Sequence, residues 1–304
     1  MPLKVGYVPE HFSTPIAFAQ SKGYFTELGL NEVELIPYPS GSGHLIQSLG
    51  DGSIDIAIGL TEAFVRGLAQ GDQSYKLINT YVKSPLRWSV STGFNRDDVT
   101  DIEGLAGKDI SVSRIGSGSY VMAFVMALQF GFKQPFFNSF PILSTFKNLR
   151  ESVNLKEGFA RSDAFMWEHF TTKRYYDNQE LKKIGEIYTP WPSWVINARS
   201  GALQENKEEV TKFVHAVNKG IAYFKENQEE AIQWIHTNLD YSEEDAREWI
   251  KTVEFNDDLT NLQAFDYENA VSKTYKVLIE TGVLNKEDEK LIVDRIDEGL
   301  VKQF

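Results

Sequence analysis

The sequence predicts an α/β protein of two similar lobes, with mixed, mainly parallel sheets and a helical C-terminal tail. Three observations carry this. Short β-branched stretches alternate with helical ones through roughly the first 200 residues, at the spacing of βαβ units. A strand, a Gly/Ser turn and a helix occur in succession twice, around Pro39-Ser40-Gly41-Ser42-Gly43-His44 and Ile115-Gly116-Ser117-Gly118-Ser119-Tyr120. From Asn206 onward, apolar residues recur only at helical spacing.

The elements follow in order. Leu3–Val8 reads as a strand, and Ser13 or Thr14 with Pro15 opens a small-residue helix through Gln20. Val33–Tyr38 is the next strand, followed by the first Gly/Ser turn and a helix at Leu45–Leu49. Gly50-Asp51-Gly52-Ser53 turns the chain into the strand Ile54–Leu60, and Thr61-Glu62 starts a helix to Gly71. Tyr75–Gly93 holds at least one strand and the patch Lys83-Ser84-Pro85-Leu86-Arg87-Trp88. The second half repeats the pattern. Asp109–Arg114 reads as a strand, Tyr120–Phe130 as an apolar helix ended by Gly131, and Phe137–Leu143 as a strand. A helix near Thr145–Lys156, a strand at Ser162–Trp167 and a helix at Glu168–Asp177 come next. Ser53-Ile54-Asp55-Ile56-Ala57 and Arg161-Ser162-Asp163-Ala164-Phe165 echo each other, with Asp55 and Asp163 as structural caps of tight turns. Leu181–Ala198 is extended and Pro-broken, suited to crossing back to the first lobe. Helices then follow at Val210–Glu226, Gln228–Leu239, Ser242–Phe255, Asp266–Thr281 and Lys286–Lys302.

Composition narrows the function. The chain has 304 residues, enough for two domains, and 42% are hydrophobic, ordinary for a globular protein. Its net charge of −12 argues against nucleic acid or an anionic membrane surface as the main partner. With no cysteine, there is no disulfide and no thiolate chemistry. Five histidines occur without paired ligand spacing, which argues against a metal site. No apolar run reaches the length of a bilayer span, so membrane insertion is not expected. The start, Met-Pro-Leu-Lys-Val-Gly-Tyr, enters a strand directly. Without a signal-peptide pattern it favours a cytoplasmic location, or an exported one if a leader has been removed.

The turn before Tyr120 is the clearest candidate for ligand contact. Ser117 or Ser119 can cap the following helix, and unpaired N–H groups there meet an anion or carbonyl with the helix dipole behind them. No Gly-Lys-Ser/Thr follows, so it is not a nucleotide P-loop, and Gly116-x-Gly118 lacks the third glycine of a dinucleotide fingerprint. Neither a nucleophile elbow nor a His-Glu-x-x-His motif is present.

Several phrases taken together resemble one family. They are Gly6-Tyr7-Val8-Pro9 with Pro15 and Ala17-x-Ala19, then Lys22-Gly23-Tyr24-Phe25-x-x-x-Gly29-Leu30. Leu49-Gly50-x-Gly52-Ser53-Ile54-Asp55-Ile56-Ala57, Ile102-x-Gly104-Leu105-x-Gly107-Lys108 and Ser162-Asp163-Ala164-Phe165-x-Trp167-Glu168 continue it. The sum resembles the type II periplasmic-binding-protein fold, in the branch of sulfonate, nitrate and taurine binding proteins and fungal thiamine-pyrimidine synthesis proteins. The resemblance implies one lobe of residues 1–92 plus 190–304 and another of 93–189. It also implies hinges near Ser89–Phe94 and Ile187–Val195, and a ligand held between the lobes by hinge closure.

On that fold the strand ends facing the ligand are His11 and Phe12, Ser42 and Gly43, Thr61 and Glu62, Ser117, Gly118, Ser119 and Tyr120, and Trp167 and Glu168. Ser117–Ser119 and Ser42–Gly43 would supply donors. Arg87 would pair with an anion as a planar fork or stand solvated. Glu168 would accept from an amine or aminopyrimidine, or serve as an acid in the first turn of its helix. Phe12, Tyr120, Trp167, Trp191 and Trp194 supply rings for an aromatic ligand, with core packing as the other fate of Trp191. The implied function is non-catalytic capture of an anionic (sulfonate-like) or heteroaromatic (pyrimidine-like) small molecule without a cofactor. An ABC-type permease is the implied partner if the chain is exported. The alternative is a pyrimidine-precursor synthase using pyridoxal phosphate. Against it, the characteristic cysteine motif of that relative is absent and its cofactor lysine has no matching position.

Overall fold

The computed structural model describes residues 2–286 and 289–304, and the chain divides into two compact units. The first comprises Met1–Ser84, Trp191–Tyr275 and Lys286–Phe304; the second comprises Pro85–Pro190 and Lys276–Asn285.

In the first unit the chain runs β1 (Leu3–Tyr7), α1 (Thr14–Ser21), α2 (Tyr24–Glu27), β2 (Val33–Pro37), α3 (Ser42–Gly50), β3 (Ile56–Leu60), α4 (Thr61–Ala69) and β4 (Tyr75–Val82). The second unit contributes β5 (Arg87–Gly93), β6 (Ile110–Ser111), α5 (Gly118–Gln129), α6 (Phe146–Val153), β7 (Ala164–Glu168), α7 (His169–Asp177) and β8 (Leu181–Tyr188). β9 (Trp194–Arg199) returns to the first sheet. It is followed by α8 (Ser200–Glu205), α9 (Lys207–Glu226), α10 (Gln228–Asn238), α11 (Glu243–Ile250), α12 (Lys273–Glu280) and α13 (Glu289–Glu298). Among the described residues no helix is long and apolar enough to cross a membrane.

The first sheet has the order β2-β1-β3-β9-β4 and the second β6-β7-β5-β8. Pairing is parallel for β1 with β2 and β3, and for β6 with β7. It is antiparallel wherever a returning strand inserts: β9 between β3 and β4, and β5 between β7 and β8. The sheets are therefore mixed, with parallel pairing confined to the βαβ parts.

Burial explains the arrangement. Val5, Ile56, Ala57, Val195, Ile196 and Ala198 are fully buried, so the central strands are apolar on both faces. Each large aliphatic chain buried in this way contributes roughly 1.5–3 kcal/mol. Helix α9 buries Val210, Phe213, Val214, Val217, Ile221 and Phe224, a stripe at helical spacing. It packs on α1 at Gly220, where a Cβ would run into the Pro15 carbonyl.

Four expectations come out differently. The strand expected at Asp109–Arg114 is regular only at Ile110–Ser111, because its outer neighbour meets it through isolated bridges, Asp109 with Ser139 and Val112 with Ile142. The strand expected at Phe137–Leu143 is reduced to those same bridges. The first expected hinge, Ser89–Phe94, falls largely within the strand Arg87–Gly93, which is paired along both edges inside the second unit, while the opening segment of the first unit ends at Ser84. The helix expected over Lys286–Lys302 is formed as Glu289–Glu298, and Glu287 and Asp288 lie outside the described residues.

Candidate functional site

Each unit contains the same strand-to-helix junction. In the first, Asp55 accepts the Lys4 N–H at 3.1 Å and an Arg199 guanidinium N–H at 2.8 Å, tying β1, β3 and β9 together. In the second, Asp163 accepts the Asp109 N–H at 3.0 Å and an Arg96 N–H at 2.7 Å. A five-residue strand follows each aspartate, then a nine-residue helix. The N-cap position is Leu60 in one unit and Glu168 in the other. Opposite each N-cap, on the antiparallel neighbour, stands a buried tryptophan: Trp194 against Leu60 and Trp88 against Glu168. Neither indole N–H has a hydrogen-bond partner among the described residues.

At the first junction Thr61 is buried and bonded to the neighbouring chain, its N–H to the Ser193 carbonyl and its hydroxyl to the Pro192 carbonyl. Glu62, in the first turn of α4, is fully buried. Its Oε2 accepts the Trp191 indole N–H at 3.0 Å, and its Oε1 has no partner among the described residues. Burial raises its pKa to about 7, against the pull of the residue's own backbone N–H and of Trp191. A buried polar atom left without a partner costs about 1–3 kcal/mol. Trp191 is thus both core and polar contact. Phe12 is buried, with its ring 5.2 Å from those of Trp194 and Trp249. His11 beside it is buried against Tyr241 and Trp249, and burial pushes its pKa well down, so it is held neutral. The Ser42 hydroxyl accepts the Leu60 N–H at 2.8 Å, a structural duty at the end of β3, while Gly43 is exposed. Gly59 makes this approach possible, since a Cβ there would lie 2.9 Å from the Ser42 hydroxyl and 2.6 Å from Phe64.

At the second junction Glu168 is the N-cap of α7, its Oε2 accepting the Thr171 N–H at 2.7 Å. Burial raises its pKa to about 7, partly offset by the Thr171 and Phe170 backbone N–H groups. Trp167 stacks on Phe146 with ring centroids 5.0 Å apart, as part of the unit's core. The Arg87 guanidinium is engaged: two of its nitrogens donate to Glu186 at 3.0 and 2.8 Å, and Lys183 pairs with the same carboxylate. These ion pairs hold Glu186 down at about 2 despite its partial burial. Behind them His169 Nδ1 lies 2.8 Å from the Ser89 hydroxyl, and burial with the Arg87 charge lowers its pKa to about 4.

The Gly/Ser turn before α5 forms as the sequence predicts. Ser117 is the N-cap and accepts the Tyr120 N–H at 3.3 Å, Ser119 lies 2.9 Å from Ser117, and the Ser119 hydroxyl accepts the Ser113 N–H at 3.3 Å. Gly118 is buried at the first helical position, and the Tyr120 ring packs on Phe124 and Phe140. The two hydroxyls are therefore spent on the turn itself.

Sequence reasoning passed over Arg114, three residues before this N-cap. It is half-buried, its guanidinium makes no hydrogen bond or ion pair among the described residues, and burial pulls its pKa down. Its place directly ahead of a Gly/Ser helix start was the available signal. Trp88 was passed over as well, since only the strand register shows that it faces Glu168.

Comparison with known proteins agrees with this architecture. A family model described as Ca3427-like PBP matches residues 88–187, and one described as the NMT1-like family matches residues 1–125. No curated protein sequence matches. Among solved structures, the Candida albicans CA3427 gene product is 52% identical over 100% of this chain and 97% of its own, with a TM-score of 0.94. The alkanesulfonate-binding protein SsuA from Xanthomonas axonopodis pv. citri, bound to MOPS, is 12% identical over 99% of this chain and 98% of its own, with a TM-score of 0.74. The nitrate-binding protein NrtA from Synechocystis PCC 6803 is 15% identical over 98% and 86%, also with a TM-score of 0.74. The last two share the fold alone. The chain belongs to the family that the Candida albicans CA3427 gene product defines, whose members have the generic periplasmic-binding-protein fold.

Proposed function

We propose that the protein is a non-catalytic small-molecule binding protein that captures a compact anionic or heteroaromatic ligand. The observation that carries this reading is Glu62: a fully buried carboxyl with one oxygen unpartnered among the described residues and the other bonded to the Trp191 indole. A buried carboxylate oxygen without a protein partner calls for an explanation, and acceptance from a ligand donor is the one this reading adopts. The anionic reading has its own support in Arg114, a half-buried guanidinium without a partner among the described residues, three residues ahead of the N-cap of α5. The distant relatives named for alkanesulfonate and nitrate binding favour the same class of activity.

A pyridoxal-phosphate synthase finds less support. Such an enzyme needs a lysine whose amine is desolvated enough to be nucleophilic at neutral pH. No lysine among the described residues is buried, so none stands out as the amine that would carry the cofactor, which favours the binding reading.

A thermal-shift panel of sulfonates, taurine, nitrate, pyrimidines, thiamine intermediates and pyridoxal phosphate tests the reading. A true ligand at a hundredfold over its Kd adds about 2.7 kcal/mol, a shift of several degrees. If every member of the panel leaves the melting temperature unchanged, the proposed ligand classes are wrong. Closure on the ligand, which the family resemblance implies, would register as a fall in radius of gyration by small-angle scattering.

A further inference from the structure

We infer that strand β8 is a docking edge for a second copy of this chain: two β8 strands pair antiparallel about a two-fold axis at Gly185 and join two four-stranded sheets edge to edge. The inference is independent of the ligand reading above. β8 (Leu181–Tyr188) is the last strand of the second sheet and pairs with β5 along one side only. Among the described residues its backbone groups bond to none but those of β5. An open edge of this length is a template for another strand, and its charges decide which strand fits. The register with β5 slips at Ile184, so that Val90 faces Gly185 and Ser91 faces Lys183. In a regular strand residues 183 and 186 would point to opposite faces. The bulge puts them on one face, where the Lys183 ammonium meets the Glu186 carboxylate. Residues directly opposite in an antiparallel pair share a face, so Gly185 against Gly185 sets Lys183 of each copy against Glu186 of the other. The two cross-strand ion pairs are equivalent, as a contact between identical surfaces requires. Centring the axis on Lys183 or on Glu186 would instead set like charges face to face, which specifies the register. Glu186 also has room for the incoming ammonium. Its Oε2 takes Arg87 and Lys183 of its own chain, while its Oε1 accepts only the Tyr188 hydroxyl, at 3.1 Å.

Sedimentation equilibrium on the whole chain, from micromolar to submillimolar concentration, should show a monomer–dimer equilibrium. Amide hydrogen exchange over residues 182–188 should slow across the same range. Lys183→Glu sets two acids face to face and should weaken association at least tenfold. Combining it with Glu186→Lys exchanges the signs of both ion pairs and should recover most of that loss. A wild type that stays monomeric throughout overturns the inference and leaves the edge to an extended segment of another protein. A dimer whose residues 182–188 exchange as fast as in the monomer overturns it too, as does one that Lys183→Glu leaves unchanged. So does a double variant that is folded by circular dichroism and associates no better than Lys183→Glu. The first two measurements use the wild type alone, so they decide the matter even if a charge reversal unfolds the second sheet.

Discussion

The two strand-to-helix junctions are the same device with different polar fillings. Each begins with an aspartate that ties two strands and an arginine, and each ends with a helix start faced by a buried tryptophan. In the second unit the buried acid stands at the N-cap and its Oε2 takes the Thr171 N–H, so Glu168 has a structural duty. In the first unit the N-cap is Leu60, and the buried acid sits two residues further on with one oxygen unpartnered among the described residues. Burial raises both to about 7. A raised pKa alone therefore does not tell the two acids apart; the unsatisfied oxygen does.

The largest effects should come from the shared part. Asp163→Ala removes a partner of Arg96, whose side chain is only 10% exposed, together with the acceptor for the Asp109 N–H. Arg96 keeps its two bonds to Asp98, so no bare charge is left, and the loss is about 2–3 kcal/mol. Asp55→Ala should cost less, about 1–2 kcal/mol, because Arg199 is more exposed and water can take over from the lost carboxylate. Urea unfolding of the two variants measures both, and equal losses would mean that the junctions are not tuned differently by burial.

Next comes pH. Between its ordinary value of 4.5 and about 7, the folded chain still holds the Glu62 proton that the unfolded chain has released. Stability from this group is therefore complete below 4.5 and is lost as pH rises through 7, at most about 3 kcal/mol. His169 acts in the opposite sense, since its folded pKa of about 4 lies below the ordinary 6.5 and stability rises with pH across that window. The difference between Glu62→Gln and the wild type cancels the histidine. That difference should grow in favour of the variant from pH 5 to pH 8 by about 2.5 kcal/mol, the amide's own fit adding only a constant offset. A flat difference would mean that Glu62 is solvated in the folded protein.

Glu168 should behave as a cap. Glu168→Ala should cost about 1 kcal/mol through the lost bond to the Thr171 N–H, and Glu168→Gln a fraction of that, because an amide oxygen still accepts. Equal losses from both would remove the distinction between a capping acid and a binding acid.

The duplicated framework is legible in the sequence because it rests on local patterns: a small residue and aspartate before an apolar strand, then a helix start. Ser117 as N-cap is legible for the same reason. The partners are not. Arg87 looks free in sequence, yet Glu186, 99 residues later, takes up its guanidinium. Asp55 and Asp163 are structural, as expected, but they tie strands to distant arginines and do not merely cap turns. Ser42 looks like a ligand donor in sequence because a Gly/Ser turn opens its helix, and the duty it performs toward Leu60 depends on where β3 ends beside it. The lack of a partner among the described residues at Glu62 Oε1 or Arg114 is a property of everything around them, which no local pattern encodes.

The smallest effects should sharpen the comparison most, because they involve single N–H groups. Phenylalanine in place of Trp88 or Trp194 deletes an indole N–H that has no partner among the described residues. Loss of ring area costs stability, and removal of an unsatisfied donor restores about as much, so each variant should unfold within about 1 kcal/mol of the wild type. Trp191→Phe differs in kind, because its N–H donates to Glu62. That substitution leaves both carboxylate oxygens short of this donor and should cost about 1 kcal/mol more than the other two. It should also raise the Glu62 pKa further, since the indole is one of the groups holding it down. Urea midpoints at unchanged m-value measure the three stabilities on one scale. If Trp191→Phe falls in line with Trp88→Phe and Trp194→Phe, the indole is not what orients Glu62, and the first junction has no preset acceptor to distinguish it from the second.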